Sequence, residues 1–83
     1  MSEHKITLNW VREKDDFSYK MYDRTHEWKF EGGTVIKASG AKEFYGNPAF
    51  PNPEEALAAA LSSCHALTFL AIASRKKMIV DSY

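Results

Sequence analysis

The stretch Asn52-Pro53-Glu54-Glu55-Ala56-Leu57-Ala58-Ala59-Ala60-Leu61-Ser62-Ser63-Cys64-His65 decides the fold, because its first four residues meet the local rules for starting a helix. Asn52 offers a side-chain oxygen to the first turn, and Pro53 takes the one helical position where a missing N–H costs nothing. Glu55 stands three residues after the cap and completes a capping-box pattern. Glu54 and Glu55 put negative charge at the positive end of the helix dipole. From Ala56 to Ser74 there is neither Gly nor Pro, and Arg75, Lys76 and Lys77 supply positive charge for the carboxyl end. The spacing predicts a helix from Pro53 to Lys77. Its large apolar residues, Leu57, Leu61, Leu67, Phe69, Leu70 and Ile72, go nearly all the way round the axis, so it must be buried on most sides.

Such a run approaches the roughly 20 residues that a bilayer requires. Ser62, Ser63, Cys64, His65 and Thr68 interrupt its middle, and the many alanines suit close packing in protein. No membrane partner is expected.

Outward toward the amino terminus the period changes. Ile6 to Val11 combines β-branched, aromatic and large apolar residues and reads as a strand, with Glu13-Lys14-Asp15-Asp16 as a polar turn after it. Phe17, Tyr19 and Met21 alternate with Ser18, Lys20 and Tyr22, the period of two that predicts a second strand. Trp28 and Phe30 lead into Glu31-Gly32-Gly33, and Thr34 to Ala38 leads away, which predicts a hairpin. From Ser39 to Pro51, Gly40, Gly46, Pro48 and Pro51 break both regular patterns and predict a loop. Beyond the helix, Met78-Ile79-Val80-Asp81-Ser82-Tyr83 reads as the start of a further strand. The expected fold is α+β, an antiparallel β-meander on a long central apolar helix. One domain over 1–83 is expected: meander and loop over 1–51, helix over 52–77, strand start over 78–83. That arrangement looks like half a fold, whose remaining core comes from a further segment or a second chain.

Composition narrows the function classes. The 83 residues suit one domain, and 45% hydrophobic with 27% charged residues describes an ordinary globular protein. Eleven Lys and Arg balance eleven Asp and Glu, so no net field gathers a polyanion, and nucleic acid is not an expected partner. The single cysteine excludes an intrachain disulfide framework, and no charged start followed by an apolar stretch marks the chain for secretion. A cytoplasmic location is expected.

Cys64 lies at the centre of the predicted helix. A lone helical cysteine is most often a small buried hydrophobe, and reactivity would need a positive group beside the sulfur to favour thiolate. The helix amino terminus is about three turns away, too far for its dipole. His65 is adjacent, but consecutive helical residues point about 100° apart, and an interior or interface histidine describes it as well. Arg24 is permanently charged with several directed donors, although by sequence alone a solvated surface arginine is the better description. His4, His26, His65 and Cys64 show no metal-ligand spacing, and Gly32-Gly33 lacks the Lys and Ser or Thr of a phosphate loop, so no metal or cofactor is expected.

The run from Asn52 to His65 resembles the signature helix of the OsmC/Ohr family, the osmotically inducible and organic hydroperoxide resistance proteins. The resemblance continues through Leu67-Thr68-Phe69-Leu70-Ala71 to Val80-Asp81-Ser82-Tyr83. It extends backward to Tyr22-Asp23-Arg24-Thr25-His26-Glu27-Trp28 and Phe30-Glu31-Gly32-Gly33, and thus corresponds to the amino-terminal half of the OsmC-like fold. It implies a thiol-dependent peroxidase that reduces organic hydroperoxides through a cysteine sulfenic acid, with a dithiol reductant and an intertwined homodimer carrying sites at the subunit interface. Cys64 matches the family's peroxidatic cysteine, Glu54 the glutamate of its Asn-Pro-Glu motif, and Arg24 the arginine that this glutamate partners. The family's resolving cysteine has no counterpart in this chain. Phe44, Tyr45, Phe50 and Leu61 are candidates for an apolar lining, although core packing of the loop is the better account of the aromatics. Two other functions are weighed beside the peroxidase: a non-catalytic dimerisation or apolar-ligand-binding module, and a cysteine hydrolase, for which no oriented Cys-His pair is identifiable.

Overall fold

A computed structural model describes residues 2–83. Three short strands, β1 (Ile6–Asn9), β2 (His26–Phe30) and β3 (Val35–Ala38), form one antiparallel sheet in the order β1-β2-β3. The chain continues through a 3-10 turn (Lys42–Phe44) into one long helix, α1 (Pro53–Arg75). The α+β class is therefore as expected.

Period-two alternation gives the sheet one apolar and one polar face. Leu8 pairs with Trp28 and Trp28 with Ile36, a row of large side chains across all three strands. Ile6 and Phe30 extend the same face. On the other face Asn9, Glu27 and Lys37 form a polar row. The hairpin between β2 and β3 closes through the Phe30 N–H donating to the Thr34 carbonyl at 2.9 Å, with Gly33 at φ 100°, a conformation that favours glycine.

The strand expected over Phe17 to Tyr22 does not form. The Ser18 N–H donates to Asp16 Oδ1 at 2.9 Å, and the Met21 and Tyr22 N–H groups both donate to the Ser18 carbonyl, so local hydrogen bonds curl the segment into a turn. Its aromatic alternation serves side-chain clustering instead. Trp10, Phe17 and Tyr22 gather with centroid separations of 5.1 to 6.4 Å. β1 also stops at Asn9, short of Val11, and the Trp10 indole N–H donates to the Asp23 carbonyl at 2.8 Å.

Helix α1 begins as its first turn requires. Asn52 Oδ1 accepts from the Glu55 N–H at 2.8 Å, and Glu55 Oε1 accepts from the Asn52 N–H at 3.1 Å. It ends at Arg75, two residues before the expected Lys77. The Met78 N–H reaches the Ala73 carbonyl and the Lys77 N–H the Ser74 carbonyl, a Schellman closure with Lys77 at φ 60°. Residues 78–83 form no strand. They return along the helix, where the Tyr83 hydroxyl is hydrogen-bonded to His65 Nδ1 and its ring lies 5.9 Å from Phe69.

The sheet does not cover the helix. Of α1 only Ala73 is buried, and Leu57, Leu61 and Leu67 are each about two-thirds exposed (64%, 65% and 67%). The radius of gyration is 17.7 Å, against about 12 Å for a compact chain of this length. By length and composition α1 would also pass for a bilayer span.

Candidate functional site

Beside the apolar sheet face lies a cavity of about 330 Å³, lined by Leu8, Trp10, Phe17, Tyr22, Arg24, His26, Ser39, Gly40 and Pro53. Each element contributes for a local reason. Leu8 points inward from β1 by strand alternation, Trp10 and Phe17 belong to the aromatic cluster, and Pro53 brings the first turn of α1. The buried Ser39 ties the walls together: its N–H donates to the Pro51 carbonyl at 2.9 Å, and its hydroxyl accepts from the Asn47 N–H at 3.0 Å.

Arg24 is the cation of this cavity. Its Nη1 donates to the Tyr22 carbonyl at 2.6 Å and its Nη2 to the Tyr19 carbonyl. Its Cζ lies 3.6 Å from the ring centroid of Tyr22, 5.1 Å from that of Tyr19 and 5.6 Å from that of Tyr45. Among the described residues no carboxylate pairs with it, the one ion pair being Lys5 with Glu3 on the surface. The neighbouring His26 is held by its Nδ1 against the Arg24 carbonyl at 2.7 Å.

Two aspartates accept backbone N–H groups in the segment around Arg24. The Thr25 N–H beside Asp23 lowers its carboxyl below the ordinary value of 3.8, with the Thr25 hydroxyl acting the same way. Asp16 is lowered by the Ser18 hydroxyl and then by the Ser18 N–H.

The three residues singled out by sequence do not meet within one chain. Arg24 lines the cavity, and Glu54 follows Pro53, which does, but Glu54 is exposed and makes no ion pair with Arg24. Cys64 is exposed along the helix, eleven residues from Pro53 and so about 16 Å from the cavity rim along the axis. His65 faces Tyr83 across a 5.8 Å ring separation. Of the expected apolar lining, Tyr45 lies beside Arg24, Phe50 lines a second, polar cavity, and Phe44 and Leu61 are exposed. No group of three or more metal-ligating side chains gathers among the described residues. In the sequence Leu8, Trp10, Phe17, Tyr19 and Tyr22 have the pattern of strand residues and nothing that marks them as part of a site beyond the tyrosine spacing ahead of Arg24.

The model of the family described as OsmC-like protein matches residues 46–83. Among solved structures, the chain resembles an OsmC-like protein of unknown function from Vibrio cholerae O1 biovar eltor, with 42% sequence identity and a TM-score of 0.88. That likeness covers 99% of this chain and 56% of the other, so the chain spans a little over half the length of the structure it matches. No curated protein matches it. The three-stranded sheet, the capped helix and the aligned sequence agree on one assignment: the chain belongs to the OsmC-like family.

Proposed function

We propose that this protein is a thiol-dependent peroxidase acting on organic hydroperoxides, with Cys64 as the reacting thiol, Arg24 as the cation beside it and Glu54 as the partner of Arg24. The observation that carries the reading is the state of Arg24, a guanidinium that no carboxylate of its own chain pairs, facing an apolar cavity at the start of the helix that bears an exposed thiol. An apolar pocket with one fixed positive charge suits an alkyl or aryl peroxide whose O–O bond must be polarised.

The separation of Cys64 from Arg24 is bridged in this reading by a second copy of the chain. OsmC-like proteins are typically soluble, so the bare apolar flank of α1 is assigned to protein rather than lipid. Two antiparallel α1 helices that cross at Ala59, midway between Glu54 and Cys64, bring Cys64 of each level with Glu54 of the other. Ala56, Ala58, Ala59 and Ala60 surround that crossing, and their small side chains allow the axes to approach to about 8 Å. Each site then combines a cavity and Arg24 from one copy with a thiol from the other.

In the reaction the Cys64 thiolate attacks the hydroxyl oxygen of the peroxide. An S–O bond forms as the O–O bond breaks, the sulfur is oxidised to sulfenic acid, and the alkoxide leaves and takes a proton to become the alcohol. Arg24 stabilises both the thiolate and the departing oxygen. A dithiol then reduces the sulfenic acid, yielding thiol, water and the dithiol's disulfide.

Intact mass after one equivalent of cumene hydroperoxide, with a sulfenic-acid trap, tests this directly. Rapid trapping on Cys64, lost in Cys64→Ser and slowed at least about tenfold in Arg24→Ala, is the expected result. A rate no faster than that of a free thiol leaves the alternative, a non-catalytic OsmC-like module for dimerisation or apolar-ligand binding, which the presence of one cysteine favours.

A further inference from the structure

Arginines that face a pocket are usually fixed by a carboxylate. Within one chain Arg24 is already fixed without one. Three elements converge on it: the 18–22 turn brings Tyr19 and Tyr22, the extended segment before β2 carries Arg24 itself, and the loop after β3 brings Tyr45. Two carbonyl oxygens take one N–H from each terminal nitrogen, and the guanidinium has five N–H donors in all. The Tyr22 ring lies against the group, its centroid 3.6 Å from Cζ, while Tyr19 and Tyr45 flank it and meet each other edge-on with centroids 5.6 Å apart. Ring faces and carbonyls carry only partial negative charge. They orient a cation without neutralising it.

The loop is built to hold Tyr45 in place. Tyr45 sits at φ 64° after the 3-10 turn, with its N–H donated to the Lys42 carbonyl at 3.0 Å, and Gly46 follows in tight backbone contact with Gly40. Gly40 in turn backs onto the aliphatic stem of Arg24.

We infer that Tyr22, supported by Tyr19 and Tyr45, is a positioning residue that presents Arg24 to the apolar cavity as an oriented cation whose charge is left available to the site. The consequence for rate rests on the peroxidase reading above, whereas the restraint of Arg24 does not. The role belongs to the ring face and not to the phenol hydroxyl, because it is the ring that Arg24 covers.

The test uses the full chain with Tyr22→Phe, Tyr22→Leu, Tyr45→Leu, Arg24→Ala and the Tyr22→Leu/Arg24→Ala double variant. Side-chain ¹⁵N spectra read rotation of the Arg24 guanidinium, and single-turnover trapping with cumene hydroperoxide reads the rate. Restricted rotation is expected in the wild type and Tyr22→Phe, and free rotation in Tyr22→Leu. The trapping rate is expected to stay within about twofold in Tyr22→Phe and to fall about tenfold in Tyr22→Leu, in line with a desolvated cation–π contact. Tyr22→Leu should add nothing to Arg24→Ala. Tyr45→Leu, which leaves the Trp10 cluster intact, should loosen Arg24 even if Tyr22→Leu fails to fold. Unchanged guanidinium rotation in both leucine variants, or equal damage from Phe and Leu at Tyr22, overturns the inference. If Arg24→Ala leaves the rate unchanged while the leucine variants free the guanidinium, the cage stands and the peroxidase role of Arg24 falls.

Discussion

Gly46 is packed so tightly against Gly40 that a Cβ on Gly46 would fall 1.7 Å from the Gly40 carbonyl oxygen. The reverse is not true, since a Cβ on Gly40 would meet only ordinary contacts at 3.9 Å or more. Gly46→Ala must therefore push the two loop strands apart. It is expected to destabilise the protein by roughly 2–4 kcal/mol, while Gly40→Ala stays within about 0.5 kcal/mol. Urea unfolding of the two variants side by side checks this, and equal stability would mean that the loop closes in some other way.

The start of α1 depends on a reciprocal pair. Asn52→Ala removes the acceptor for the Glu55 N–H and is expected to cost about 1 kcal/mol. Asn52→Asp keeps an acceptor of the same length and should retain most of the stability. Circular dichroism during urea titration reads both; an indifferent Asn52→Ala would remove the capping box from the account of the helix.

At the other end, Lys77 occupies the left-handed conformation at φ 60° that glycine adopts without cost. Lys77→Gly is expected to raise stability by roughly 0.5–1 kcal/mol, seen as a higher Tm, while Lys77→Val at the same site lowers it.

The exposed flank of α1 gives a prediction about assembly. Leu61, 65% exposed in one chain, lies close to the proposed crossing at Ala59. Sedimentation equilibrium is expected to show a wild-type dimer, weakened by at least about 100-fold in Leu61→Glu. A wild-type chain that stays monomeric at high concentration contradicts the shared site.

Asp23 sets an acid limit on the segment beside the cavity. Its folded-state value lies below the ordinary 3.8, so its contribution is complete above that value and is lost as the pH falls through the lower, folded-state value. The Thr25 amide proton, which donates to Asp23 at 2.9 Å, should report this in NMR spectra with a midpoint below 3.8. In Asp23→Asn that titration should vanish. A midpoint at or above 3.8 would mean the hydrogen bond is not kept in solution.

What the sequence determined by itself is the part governed by neighbours along the chain. Asn52, Pro53 and Glu55 act within one helical turn, the Gly32-Gly33 hairpin within one turn, and a run free of Gly and Pro needs only local hydrogen bonds to become a helix. The Asn52–His65 run likewise carried the family. The apolar girth of α1 also announced that something must cover it. Tertiary structure decided the rest. Phe17 to Tyr22 has the period of a strand, yet Asp16 and Ser18 curl it, because the Asp16 carboxylate and the Ser18 backbone carbonyl compete with a sheet edge for the same N–H groups. The surroundings of Arg24 come from the turn just ahead of it, with Tyr19 and Tyr22, and from the distant Tyr45, whose loop is closed by the contact of Gly40 with Gly46. Whether an arginine is a solvated surface charge or a held one depends on what the fold stacks against it, and Arg24 and Tyr45, 21 positions apart in the chain, carry no local signature of that meeting.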